Sequence, residues 1–186
     1  MPIIGILIIF QSNVYHNIPS QYQYYIYLIV LFFTLIIPIS IFPLLKYWNA
    51  IESISLDNRK DRFLPLVIST LCFYITHFFI LKIGGPRLIS LFTFSMSLAS
   101  LLVLIITLFW KISLHMTGLG GITALILAIT LTYKVDLFTI LVIAVVLSGF
   151  LASIRLYLQV HNLSQVLVGY LAGFSSVIVS YYFFLV

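Results

Sequence analysis

Three short stretches of this sequence hold most of the residues able to do chemistry: "DNRKDR" (57–62), "WKISLH" (110–115) and "IRLYLQVHNLSQ" (154–165). Between them they contain Arg59, Lys60, Arg62, Lys111, Arg155 and two of the four histidines, His115 and His161. Cationic side chains neutralise phosphate oxygens, and Arg does so as a bidentate fork. An imidazole near neutral pH can serve as nucleophile or as general acid. Together these types suit chemistry on a phosphoester. Taken singly they also fit a plainer reading, because basic residues flank membrane helices as topology signals. His77 in "YITHFFI" and His16 in a polar, Tyr-rich stretch read as structural, His77 as a hydrogen-bonded group inside the bundle. The single Cys72 lies in an apolar run, which leaves no disulfide framework and no Cys metal site.

The elements that must position these residues follow from composition. The chain has 186 residues, 63% hydrophobic and only 7% charged, with a mean hydropathy of +1.24. A soluble domain commonly carries about a quarter charged residues, so this is expected to be an integral membrane protein. Nine basic residues on so apolar a chain belong in loops, and no nucleic-acid partner is expected. Segments 1–45, 63–81, 88–110, 112–133, 137–154 and 156–186 contain no Lys, Arg, Asp or Glu. A helix crosses the hydrocarbon with about 20 apolar residues. Runs such as "LASLLVLIITLF" lack the period-2 alternation of a membrane barrel. The fold class is therefore an all-α bundle of about six transmembrane helices, with spans placed at 24–45, 64–83, 88–110, 117–133, 137–154 and 166–186. The whole of 1–186 reads as one transmembrane domain, in which 1–23 supplies a partial first helix and an interfacial segment; no cleaved signal peptide is expected.

Helical hairpins return the chain to the side it left. Counting spans puts Arg59, Lys60, Arg62, Lys111, His115, Arg155 and His161 at one membrane face. Lys82, Arg87, Lys134 and Asp136 fall at the other, in tight turns of Gly, Pro and charge. One face connects helices; the other gathers cations and histidines.

The spacing Arg155, five residues, His161, three residues, Gln165, followed by Val166, Gly169 and Gly173, resembles the third signature of the type 2 phosphatidic acid phosphatase (PAP2) superfamily, S-R-x5-H-x3-D with V-x-x-G-x-x-x-G after it. Its second signature, P-S-G-H, is similar to "ISLH", with Ser113 and His115 in the same relative positions. Its first, K-x6-R-P, is matched loosely by "DNRKDRFLP", with Pro65 displaced by two residues. The resemblance covers roughly residue 50 to the end. It implies a chloroperoxidase-like helical core and a metal-independent, cofactor-free phosphatase working through a phosphohistidine.

Under that resemblance His161 is the nucleophile and His115 the general acid. Arg155 holds phosphate oxygens, with Arg62, Arg59 or Lys60 contributing, Lys111 standing in for the first-motif lysine, and Ser113 assisting through hydroxyl or backbone N–H. Gln165 occupies the place of the aspartate that orients the nucleophile, and Leu114 that of a glycine. Implied substrates are lipid phosphates or isoprenyl pyrophosphates, and the implied location is a bacterial inner membrane. Gln165 and Leu114 motivate an alternative, a catalytically impaired relative of the same fold that binds or transports lipids. The spacing of Asp57 and Asp61 also permits a Mg²⁺-dependent prenyltransferase reading, but Asp136 is the only other aspartate.

Overall fold

The computed structural model describes residues 1–51 and 60–185, for Lys60, Phe184 and Leu185 the backbone only. Six helices in it are long and apolar enough to cross a membrane: Ser20–Tyr47, Phe63–Lys82, Arg87–Phe109, Leu114–Tyr133, Phe138–Tyr157 and Leu163–Phe183. The first comprises α2 (Ser20–Leu31), a π-helical turn (Phe32–Ile36) and α3 (Ile37–Tyr47). Pro38 has no N–H to bond the carbonyl four residues back, and the widened turn just before it accommodates that missing bond. The remaining spans are α4 (Phe63–Lys82), α5 (Arg87–Phe109), α6 (Leu114–Tyr133), α7 (Phe138–Tyr157) and α8 (Leu163–Leu185). A shorter apolar helix, α1 (Pro2–Gln11), precedes them. No strand occurs among the described residues, and the chain is an all-α membrane protein.

Contacts divide the chain into two compact units, where the sequence reads as one domain. The first joins Met1–Asn17 to Ile112–Val186; the second is Ile18–Lys111. In the second unit the core is the antiparallel pair α4–α5, turned by "GGP". Gly84 sits there at φ +65°, in the left-handed region that favours glycine. With no water in the hydrocarbon, hydroxyls and imidazoles satisfy themselves across helices. Thr70 Oγ1 donates to Ser100 Oγ at 2.8 Å, Ser97 Oγ to the Thr70 carbonyl at 3.2 Å, and His77 Nδ1 to the Ser90 carbonyl at 2.8 Å. That is the structural role read for His77. Arg62 precedes α4 and Lys111 follows α5 at one end of this pair, whereas Lys82 and Arg87 flank its turn.

The first unit is built around α6, which buries a larger share of its surface than any other span. Its sequence "TGLGG" explains how. A Cβ on Gly120 would collide with the Tyr170 carbonyl, and one on Gly173 with the Thr117 carbonyl. A Cβ on Gly169 would lie 2.6 Å from the Ser113 oxygen. Only glycine lets the two backbones touch at these points. The pairs Ser113–Gly169, Thr117–Gly173 and Gly121–Val177 advance together along both chains, so α6 and α8 run parallel. The intervening α7 runs back between them in sequence and packs on α6; its buried residues are Ala144 and Ser148.

Three helix limits differ from the sequence reading in a way that matters for the site. α6 starts at Leu114 instead of 117, which puts His115 in its first turn. α7 continues to Tyr157 instead of 154, which makes Arg155 part of its last turn, where a cation complements the helix dipole. α8 starts at Leu163 instead of 166, because Asn162 and Gln165 cap it. Sequence reading ended each span at its first polar residue, but the helices carry polar residues in their terminal turns.

Candidate functional site

Parallel α6 and α8 present both N-termini at one end of the first unit. Four backbone N–H groups at each start have no intrahelical acceptor, and each helix dipole places roughly half a positive charge there. Such an end favours an anion. Antiparallel α7 brings its C-terminal turn, and with it Arg155, to the same end.

Ser113 is the N-cap residue of α6, in extended conformation, and is fully buried. Its backbone is fully engaged. The N–H donates to the Gln165 carbonyl at 3.2 Å, and the carbonyl accepts from both Thr117 N at 3.1 Å and Thr117 Oγ1 at 3.1 Å. Its hydroxyl makes no capping bond and has no hydrogen-bond partner among the described residues. A buried hydroxyl left unpaired costs about 1–3 kcal/mol. Gly169 lies close against the Ser113 backbone.

His115 lies two residues on, exposed in the first turn of α6. Arg155 Nη2 is 2.6 Å from its Nδ1 and 2.8 Å from its Nε2. The guanidinium thus lies against the imidazole near both ring nitrogens, and which of them can accept depends on the tautomer. The Nε of Arg155 is buried and has no hydrogen-bond partner among the described residues. At this end of the unit the Ser113 hydroxyl and the Arg155 Nε–H have no hydrogen-bond partner among the described residues, beside two helix N-termini.

His161 stands immediately before the α8 cap, half-buried in the short connection from α7. The next residue, Asn162, is the α8 N-cap. Its Oδ1 accepts from Gln165 N at 2.9 Å, and Gln165 Oε1 accepts in return from Asn162 N at 3.1 Å. This reciprocal pair is a capping box. It commits the Gln165 carboxamide oxygen to the start of α8, a role the sequence reading did not assign to it.

The structure therefore gathers Ser113, His115, Arg155, His161 and Gln165 at one end of the first unit. Lys134 and Asp136 lie at the far end of α6, as the span count expects. Arg62, Lys60 and Lys111 belong to the second unit. Arg62 is buried, 8% exposed, at the start of α4, and Lys111 is half-buried beyond α5. Arg59 lies outside the described residues, as does Asp57 of the prenyltransferase spacing. Among the described residues no three His, Cys, Asp or Glu side chains converge as a metal site would require.

Sequence reasoning missed two contributors. Asn162 was legible as the first residue of N-x-x-Q ahead of an apolar run. Gly120 was legible as part of "GLGG" in a span otherwise rich in Leu and Ile. Around the site, Tyr157, Leu158, Leu163 and Leu167 are exposed, the mixture of aromatic and aliphatic groups found where helices meet a bilayer surface. Compared with family models, curated proteins and solved structures, the chain matches none.

Proposed function

We propose that this chain is a membrane-embedded phosphatase acting on a lipid phosphate or an isoprenyl pyrophosphate, with a core of the type 2 phosphatidic acid phosphatase kind. The observation that carries the reading is Arg155 held against His115 beside the buried, unpartnered hydroxyl of Ser113. An incoming phosphate supplies acceptors: its oxygens take the Arg155 N–H donors, the Ser113 hydroxyl and N–H groups at the α6 start. His161 then attacks phosphorus through a ring nitrogen. The bond from phosphorus to the leaving oxygen breaks, and that oxygen takes a proton from His115. Water, giving a proton to His115, next attacks the phosphohistidine, the P–N bond breaks, and inorganic phosphate leaves with neutral His161 and protonated His115 restored. Arg62, Lys60, Arg59 and Lys111 remain candidate phosphate ligands on their sequence positions alone.

His115 must be protonated to act as acid. In the proposed cycle phosphate draws the guanidinium onto its own oxygens, which frees the imidazole to take a proton. The same anion then stabilises the protonated ring.

The test is phosphate release by purified protein from a panel of lipid phosphates and isoprenyl pyrophosphates. Release by the wild type and loss in His161→Ala supports the reading, as does an acid-labile phosphorylated protein absent from that variant. No release from any member, or equal release by His161→Ala, defeats it.

The second reading, a non-hydrolytic lipid-phosphate binding or transport protein, draws on Gln165. With its carboxamide oxygen bonded to Asn162, it offers no carboxylate to stabilise a charged imidazole. Saturable binding of a lipid phosphate without turnover is the outcome that selects it.

A further inference from the structure

Gln165 makes three bonds that converge on the site from different directions. Its side-chain oxygen holds the Asn162 N–H, its N–H is held by the Asn162 side chain, and its carbonyl receives the Ser113 N–H from the N-cap of α6. The first two set where α8 begins and so where His161, the residue just before the cap, is carried. The third ties that same turn to Ser113, and Gly169 one turn later lies against the Ser113 backbone. A single residue thus joins the segment bearing His161 to the residue bearing the unpartnered hydroxyl.

We propose that Gln165, with Asn162, is a positioning clamp that fixes the spacing between His161 and Ser113 through the backbone, so that position 165 serves the reaction by geometry. The proposal rests on the phosphatase reading for its catalytic consequence, but the clamp itself is a statement about structure. Glutamate reaches as far as glutamine and closes a capping box equally well. Aspartate is one methylene shorter and cannot span the same distance. Leucine offers no acceptor.

The experiment compares Gln165→Leu, Gln165→Glu, Gln165→Asp, Asn162→Ala and Asn162→Asp in the full chain in detergent micelles. Two readouts are taken: amide exchange by mass spectrometry, and kcat and KM for phosphate release with their pH profiles. Gln165→Leu and Asn162→Ala are expected to speed exchange over 162–166 and at Ser113 together, and to lower kcat by up to about a hundredfold, the loss that misplacement near 1 Å can produce. Their pH profiles keep the wild-type shape. Gln165→Glu and Asn162→Asp are expected to restore protection and most of kcat, the added charge appearing as a raised KM for the anion. The Ser113 amide is the decisive signal, since a cap acting only on α8 leaves it unmoved.

The proposal is overturned if Gln165→Asp exceeds the wild-type kcat with a shifted pH profile, the mark of a side chain acting directly on the imidazole. It is overturned equally if Gln165→Leu leaves exchange at Ser113 unchanged. If the wild type releases no phosphate, the phosphatase reading fails by itself, and the exchange data still decide for or against the clamp.

Discussion

Arg155, in the last turn of α7, and His115, in the first turn of α6, touch across 40 residues of sequence, with Nη2 2.6 Å from Nδ1. The acidic residues among those described are Asp61 in the second unit and Asp136 at the far end of α6. Two groups that are both cationic when protonated are brought together. Such a contact is weak as a structural bond and serviceable as one that an anion displaces.

The Arg155→Lys substitution tests the donor geometry. Lysine keeps the charge but offers a point donor in place of a planar fork, and its charge is more strongly hydrated. We expect kcat/KM for a lipid phosphate to fall by about tenfold to a hundredfold, as for loss of a hydrogen bond to a charged group worth 1.5–3 kcal/mol. Steady-state phosphate release measures it. A change within twofold removes Arg155 from phosphate binding.

The acid role of His115 is separable by the choice of leaving group. Positioned general acids contribute about a hundredfold to ten-thousandfold when the leaving oxygen is basic. His115→Ala should lose rate on that scale with an alkyl phosphate, and far less with an aryl phosphate whose leaving oxygen needs no proton. His161→Ala should lose both alike. Parallel losses in His115→Ala for the two substrates would mean that the residue binds phosphate and does not donate the proton.

Much of this was legible beforehand, and the reasons are physical. Span placement follows from the exclusion of charge by hydrocarbon, so all six were found to within a few residues. The gathering of His115 and Arg155 at one end follows from hairpin parity. What the sequence did not yield is what depends on backbone approach. The parallel pairing of α6 and α8 requires Gly120 to accept the Tyr170 carbonyl as a neighbour, and no hydropathy pattern encodes that register. Gln165 was read through a resemblance as a partner of His161. The capping box shows the competing local demand, four unpaired N–H groups at the start of a helix, that an amide at this position meets.

The glycine contacts predict a sharp contrast in stability. Gly173→Ala places a methyl group against the Thr117 carbonyl and must separate α6 from α8. Overpacking of this kind typically costs about 1–3 kcal/mol, and we expect a clear drop in thermal midpoint in detergent together with lost activity. Gly149 on α7 has nothing within 4 Å of its would-be Cβ. Gly149→Ala should be neutral or stabilising by up to about 1 kcal/mol. Equal effects of the two substitutions would contradict the close α6–α8 approach.

Ser113→Ala separates a binding role from a structural one by the sign of its effect. If the hydroxyl were part of the scaffold, its removal would destabilise the protein. Here it is fully buried and unpartnered, so losing it removes a desolvation penalty of about 1–3 kcal/mol. The Ser113 N–H bond to Gln165 is a backbone bond and survives the change. We therefore expect Ser113→Ala to unfold at the same temperature as the wild type or a few degrees higher. Its affinity for orthovanadate, a mimic of phosphate in transfer, should weaken by about threefold to tenfold, the worth of one ordinary hydrogen bond. Calorimetric titration and thermal unfolding on the same preparations measure both. A variant that is less stable yet binds vanadate unchanged would assign Ser113 to the scaffold and leave Arg155 and the helix starts to hold the anion without it.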